Sequence, residues 1–198
     1  LPAFMERDVN TALLYEIWRR NMDSRGIIIG IFIGTGLGNA MCIDGKIYIG
    51  HSGSACELGH IPVMGFHQSC GCGKEGCIEL KASGKALHRL AEHLFHCPVS
   101  DIFEQYGDRE EVLDVVRACA AAAATEITIL DPRCVILGGG VVEMKGFPME
   151  YFEQTVRKNL RIPNPRESVV FYRAENAPEA GIVGAAINAS ARMADTAR

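Results

Sequence analysis

Residues 26–49 read GIIIGIFIGTGLGNAMCIDGKIYI, and this stretch decides the fold. From Gly26 to Ile43 no residue is charged. The run has about the length, some 18 residues, at which an apolar segment becomes a candidate membrane helix. Its five glycines and many β-branched side chains argue instead for two buried strands joined by a turn. Ile27–Ile33 reads as the first strand, Gly34-Thr35-Gly36-Leu37-Gly38 as the turn, and Asn39–Ile43 as the returning strand. Asp44-Gly45 is a hairpin dipeptide, and Lys46–Ile49 is a third strand. An antiparallel meander with no membrane span is expected.

Helical patterns flank the meander. Asn10 is a candidate N-cap for a helix from Thr11 to about Asn21, with Leu13, Leu14, Ile17 and Trp18 on one face. Ser83–Phe95 reads as helical. Asp108 with Glu111 three residues on forms a capping box for a long Ala-rich helix ending at Asp131-Pro132. Cys134–Leu137 is a short buried strand closed by Gly138-Gly139-Gly140. Residues 149–160 read as helix, Val169–Tyr172 as strand, and Ile182–Met193 as a closing helix. A meander followed by alternating helices and strands predicts a layered α/β domain with a mixed sheet.

Composition narrows the function. The 198 residues are 48% hydrophobic and 22% charged, which excludes a disordered chain. With 20 Lys plus Arg against 24 Asp plus Glu, the net charge is −4, so nucleic acid is not an expected partner. Glu6, Arg7, Asp8, Arg19 and Arg20 exclude a signal peptide within residues 1–20. The first residue is Leu1, so the chain is expected to be part of a longer protein. At this length eight cysteines are not needed as a disulfide framework. Their pattern reads as reduced thiols in the cytoplasm plus a metal site.

The metal candidates are Cys70, Cys72 and Cys77, three thiols within eight residues, interleaved with Gly71, Gly73 and Gly76. With His60 they have the donor types of a tetrahedral zinc site. His67 competes as the fourth ligand. His60 is preferred because Glu57 would share its face if 54–60 were helical. Four protein ligands leave no open position, so the zinc would be structural. It would hold Glu57, His60 and Glu79 around one pocket, and carboxylates held so are good acceptors for sugar hydroxyls.

The Gly34–Gly38 turn is neither a Walker A loop nor a dinucleotide fingerprint. It can cradle phosphate through its backbone N–H groups and the Thr35 hydroxyl, although, taken alone, a plain hairpin turn is the favoured reading. Gly138-Gly139-Gly140 permits close approach of a flat or charged ligand. Two such turns at strand ends suggest a nucleotide cleft.

Taken together, Glu57-Leu58-Gly59-His60, Cys70-Gly71-Cys72-Gly73 and Gly76-Cys77-Ile78-Glu79 resemble the ROK family of sugar kinases and repressors. The resemblance spans Asp8 to about Ala186 and implies the two-lobed actin-like ATPase, or ribonuclease H-like, fold. It places residues 1–25 at the end of the N-terminal lobe and 26–198 in the C-terminal lobe, with the last helix packing back on a missing N-terminal lobe. It further implies ATP and Mg²⁺ as cofactors beside the structural zinc, a hexose substrate, and a homodimer. Asp8 becomes the general base. Asn10, Glu57, His60 and Glu79 become sugar ligands. Gly34, Thr35, Gly36, Gly38, Gly138, Gly139 and Gly140 become nucleotide contacts, and His60, Cys70, Cys72 and Cys77 the zinc ligands. Arg7-Asp8-Val9-Asn10 and Gly146-Phe147-Pro148 look most like the members that phosphorylate D-allose at the 6-hydroxyl, whereas most sugar kinases of the family carry Asn where Arg7 stands. The alternatives are a glucokinase or N-acetylmannosamine kinase, and a sugar-responsive repressor with an upstream DNA-binding segment.

Overall fold

The computed structural model describes residues 3–175 and 177–196. Its centre is a five-stranded mixed sheet, in which β1 (Ile27–Ile33) lies between β2 (Leu37–Ile43) and β4 (Cys134–Gly138). β3 (Lys46–Ile47) and β5 (Phe171–Arg173) form the two edges. The meander expected from residues 26–49 is present. β1 and β2 pair antiparallel from Ile27 opposite Ile43 to Ile33 opposite Leu37, and β3 adds to β2. β4 and β5 then run parallel to β1, with Ile28 opposite Cys134 and Val135 opposite Phe171.

β1 reads as a continuous apolar run because both of its faces are covered. Ile29, Ile31 and Ile33 point into the larger core, which α4 (Glu110–Leu130) and α6 (Met149–Lys158) close. Ile28 points the other way, toward Leu13 and Ile17 of α1 (Asp8–Arg19). α7 (Ala180–Thr196) packs on α1, and the two helices approach so closely that a Cβ on Gly184 would strike the Thr11 carbonyl. The result is a helix–sheet–helix sandwich.

Several boundaries differ from expectation. Asn10 does not cap α1. The helix starts at Asp8, its N-cap Arg7 makes no side-chain capping bond, and the Asn10 amide donates back to Glu6 Oε1 at 2.7 Å. Asp8 therefore sits in the first turn, where a carboxylate opposes the positive end of the helix dipole, and it accepts from the Val9 N–H at 2.8 Å. The Asp108 capping box is also absent: Arg109 is the N-cap, again without a side-chain bond. The helix does stop as expected, with Asp131 in the left-handed conformation at φ 44° before Pro132. The last strand begins at Phe171 rather than Val169, whose N–H is already bonded to Pro165 O at 2.9 Å. Residues 54–60 form only one 3₁₀ turn, Leu58–His60, rather than a longer helix. No helix among the described residues is long and apolar enough to cross a membrane.

Candidate active site

β1 and β4 are parallel neighbours, so both deliver their glycine-rich ends to one edge of the sheet. Crevices outside the carboxyl ends of parallel strands are the usual ligand sites of open α/β sheets. The Gly34–Gly36 turn is anchored from above by α2 (Gly84–Leu90), whose first amides donate to Gly34 O at 2.7 Å and Thr35 O at 3.2 Å. Buried Ser83 caps that helix by accepting from the Ala86 N–H. A cavity of about 430 Å³ opens here, lined by Gly34, Thr35, Gly84, Lys85, His88, Gly140, Val141 and Met144.

The seven glycine-turn residues divide by role. Gly34 and Gly140 face open space, and with Thr35 they line the cavity. The other four are packing glycines. Gly36 lies beneath the Glu79 carboxylate, and a Cβ on Gly38 would meet Val9 at 2.7 Å. On Gly138 it would meet Ala174 at 2.7 Å. Gly139, at φ 96°, brings β4 against β1, where a Cβ would lie 2.5 Å from Ile33 O. Close strand approach and ligand approach call for the same residue.

The ligand atoms of His60, Cys70, Cys72 and Cys77 all lie within 4.8 Å of one another. Cys72 Sγ is 3.5 Å from Cys77 Sγ, and Cys70 Sγ is 3.8 Å from His60 Nδ1. Zn–S bonds near 2.3 Å in a tetrahedron place sulfurs roughly 3.8 Å apart, so this donor set fits zinc. The competing His67 is not in the cluster. Gly73 and Gly76, at φ 89° and 70°, supply the left-handed residues that fold the loop back. Burial, followed by the neighbouring thiols, pushes Cys77 up to about 12, while a hydrogen bond with the Lys74 backbone draws Cys72 down. A dication would relieve the cost of gathering thiolates. The other ring nitrogen of His60 faces Glu57 Oε2 at 3.8 Å. A metal on Nδ1 would thus orient the ring toward Glu57.

His60 and Glu79 line a second cavity of about 340 Å³, together with Cys70, Cys72, Leu80, Lys85 and Arg89. One Glu79 oxygen accepts from the Leu37 N–H at 3.0 Å, which ties this carboxylate to the glycine turn. Glu57 joins through His60 and through Arg7. The Arg7 guanidinium donates to Ala55 O at 2.7 Å and Cys56 O at 3.1 Å and pairs with Glu57 at 3.2 Å. His60 and Glu79 thus line one cavity, while Glu57 is not among its lining residues and meets it only through His60. Asp8 is exposed on the segment that Arg7 fastens beside Glu57, and it lines neither cavity. Asn10, expected to hold sugar, is 3% exposed and its amide is committed to Glu6. It supports the helix start instead.

A buried polar pair lies behind the turn, and neither member was singled out from sequence. Asn39 Nδ2 donates to Glu126 Oε1 at 2.8 Å, while Asn39 Oδ1 accepts from the Leu58 N–H at 2.9 Å. Among the described residues Glu126 Oε2 is buried without a partner, and burial pushes the carboxyl up to about 7. The pair connects α4 to the residue after Glu57. The signal was present: Glu126 follows Cys119 and Ala123 on the buried stripe of α4, where a lone acid is out of place.

A family model described as the ROK family matches residues 1–192, and the chain belongs to that family. An N-acetyl-D-glucosamine kinase of Histophilus somni (strain 129Pt) is 31% identical over 154 residues, 69% of this chain and 50% of the relative. Among solved structures, the ROK hexokinase of Thermus thermophilus is 29% identical at a TM-score of 0.81, over 98% of this chain and 67% of that one. A ROK family glucokinase from Streptomyces griseus, in complex with glucose and AMPPNP, is 30% identical at 0.75, over 94% and 68%. The sheet with its flanking helices thus has the actin-like ATPase arrangement of the family. The chain spans about half the length of the Histophilus relative.

Proposed function

We propose that the protein is an ATP-dependent hexose kinase that transfers phosphate to the 6-hydroxyl of an aldohexose, D-allose being the favoured substrate. The observation that carries this reading is the adjacency of two cavities. One is lined by the glycine turns and the other by His60 and Glu79; Lys85 lines both, and Glu79 of the second accepts from the Leu37 N–H just past the Gly34–Gly36 turn. Nucleotide phosphates in the first would meet a sugar in the second. The relatives named as sugar kinases, and the glucokinase solved with glucose and AMPPNP, support the same assignment.

The residues then divide the work. Glu57 and Glu79 accept from sugar hydroxyls, and His60, with Nδ1 given to the metal, offers its Nε2 N–H to orient the sugar. Asp8 takes the hydroxyl proton as phosphoryl transfer proceeds, because a carboxylate in reach raises the nucleophilicity of a weak alcohol. Thr35, Gly34 and Gly140 face the phosphates, which would carry Mg²⁺. Zinc held by His60, Cys70, Cys72 and Cys77 would cross-link the loop and supply order rather than chemistry. Arg7 stands where the resemblance implies Asn in most sugar kinases of the family, and its hold on Glu57 at 3.2 Å is the feature taken to favour allose over glucose or N-acetylmannosamine. The reading also places residues 1–25 with an N-terminal lobe and 26–198 with the C-terminal one, and the working protein as a cytoplasmic homodimer.

Asp8→Asn in the full-length protein tests the assignment. Turnover should fall about 10²–10⁴-fold while hexose binding persists. A repressor has no need of a base, so a wild-type protein that binds hexose without ever consuming ATP would favour that alternative. An Asn variant with undiminished turnover would remove Asp8 from the mechanism.

A further inference from the structure

In the kinase reading Asp8, Glu57 and Glu79 serve the sugar, Glu79 lining its cavity, and a nucleotide would bring several negative oxygens toward them. Such a juxtaposition needs a cation at the boundary. The candidates are few. Arg89 lines the sugar-side cavity, but its guanidinium donates to Leu80 O. His88 lines the glycine-turn cavity, yet its Nδ1 faces Glu92 at 3.5 Å. His60 belongs to the Cys/His cluster. Lys85 alone lines both cavities.

We propose that Lys85 is a catalytic residue that binds the phosphoryl group as it passes from nucleotide to sugar. This rests on the kinase reading above and adds a role to it. Lys85 is exposed, and among the described residues its ammonium has no hydrogen-bond or ion-pair partner, so its three donors remain for a ligand. Its backbone is not free. The Lys85 N–H bonds Thr35 O at 3.2 Å and the preceding Gly84 N–H bonds Gly34 O at 2.7 Å. The side chain therefore starts from a point fixed to the phosphate-facing turn. In the step itself, a bond forms between the sugar oxygen and the γ-phosphorus. The bond from that phosphorus to the β–γ bridging oxygen breaks, ADP departs, and the hydroxyl proton goes to Asp8. Charge is spread over the equatorial oxygens of the moving group, and a positioned ammonium stabilises it there.

The test compares Lys85→Met and Lys85→Arg in the full-length protein, with hexose, MgATP and MgADP as probes. The Met variant should lose about 100-fold or more in kcat. Hexose affinity measured without nucleotide, zinc content and melting temperature should stay at wild-type values. The Arg variant, which keeps the charge, should recover at least tenfold of that loss. A Met variant whose kcat stays within about threefold of wild type overturns the proposal. So does one whose loss comes with lost zinc or lost hexose binding, since that is a structural role. If wild type itself phosphorylates no hexose, the kinase reading fails beneath it, an outcome separate from a failure confined to Lys85.

Discussion

Glu126→Gln offers a quantitative test of the buried pair beneath the turn. The Glu126 carboxyl lies in the core of α4, receives one hydrogen bond from Asn39, and leaves Oε2 unpartnered. Burial raises it from 4.5 to about 7. That rise corresponds to roughly 3 kcal/mol against the charged form. An acid whose folded value is raised holds its proton longer in the native state than in the unfolded chain. Stability is therefore undiminished below about pH 4.5, falls as pH rises toward 7, and is flat above it. Gln keeps the acceptor for Asn39 but places an amide N–H₂ where Oε2 has no partner, a cost of about 1 kcal/mol at every pH. The variant should be about equal to wild type near pH 5 and about 2 kcal/mol more stable at pH 8. Urea unfolding of both proteins, each zinc-loaded, at pH 5 to 8 measures this. A difference that stays constant across the range would refute the reasoning, because the carboxyl would then carry no burial penalty.

Other outcomes follow from the same geometry. Gly139→Ala forces a side chain to φ 96° and toward Ile33 O. It should cost about 2–3 kcal/mol, read as a fall in melting temperature, and an unchanged melt would contradict the packing role. Purified protein should hold one zinc ion per chain. Cys77→Ser should lose it along with hexose affinity, and metal analysis with calorimetry would catch the opposite result. Arg7→Asn releases Glu57 and the Ala55 and Cys56 carbonyls. It should shift the hexose KM by about tenfold or more and leave the ATP KM alone, and equal changes in both would deny Arg7 a role in sugar choice.

The parts legible in the sequence were those with strong local causes. Residues 26–49 became a meander because turn glycines, Asp44-Gly45 and β-branched runs all specify it within a short span. The cluster of His60, Cys70, Cys72 and Cys77 stood out because thiols and glycines at that density have few uses other than holding a metal. Helix starts were less legible. Arg7 and Arg109 cap α1 and α4 without any side-chain bond, whereas the better capping residues, Asn10 and Asp108, sit close by and do not cap. Gly38, Gly138 and Gly139 could not be told from Gly34 and Gly140, since which glycine faces a ligand depends on where Val9, Ala174 and Ile33 arrive in space. Asn39 and Glu126 are 87 residues apart and meet only through the packing of α4 on the sheet.

Phosphorus and proton NMR of the product is the most direct measurement of the central claim. Full-length protein is mixed with MgATP and, in turn, allose, glucose, N-acetylglucosamine and N-acetylmannosamine. The account predicts ADP together with a hexose phosphorylated at the 6-hydroxyl, formed fastest from allose. ATP that persists unchanged beside every sugar, or phosphate carried on a different hydroxyl, would contradict it.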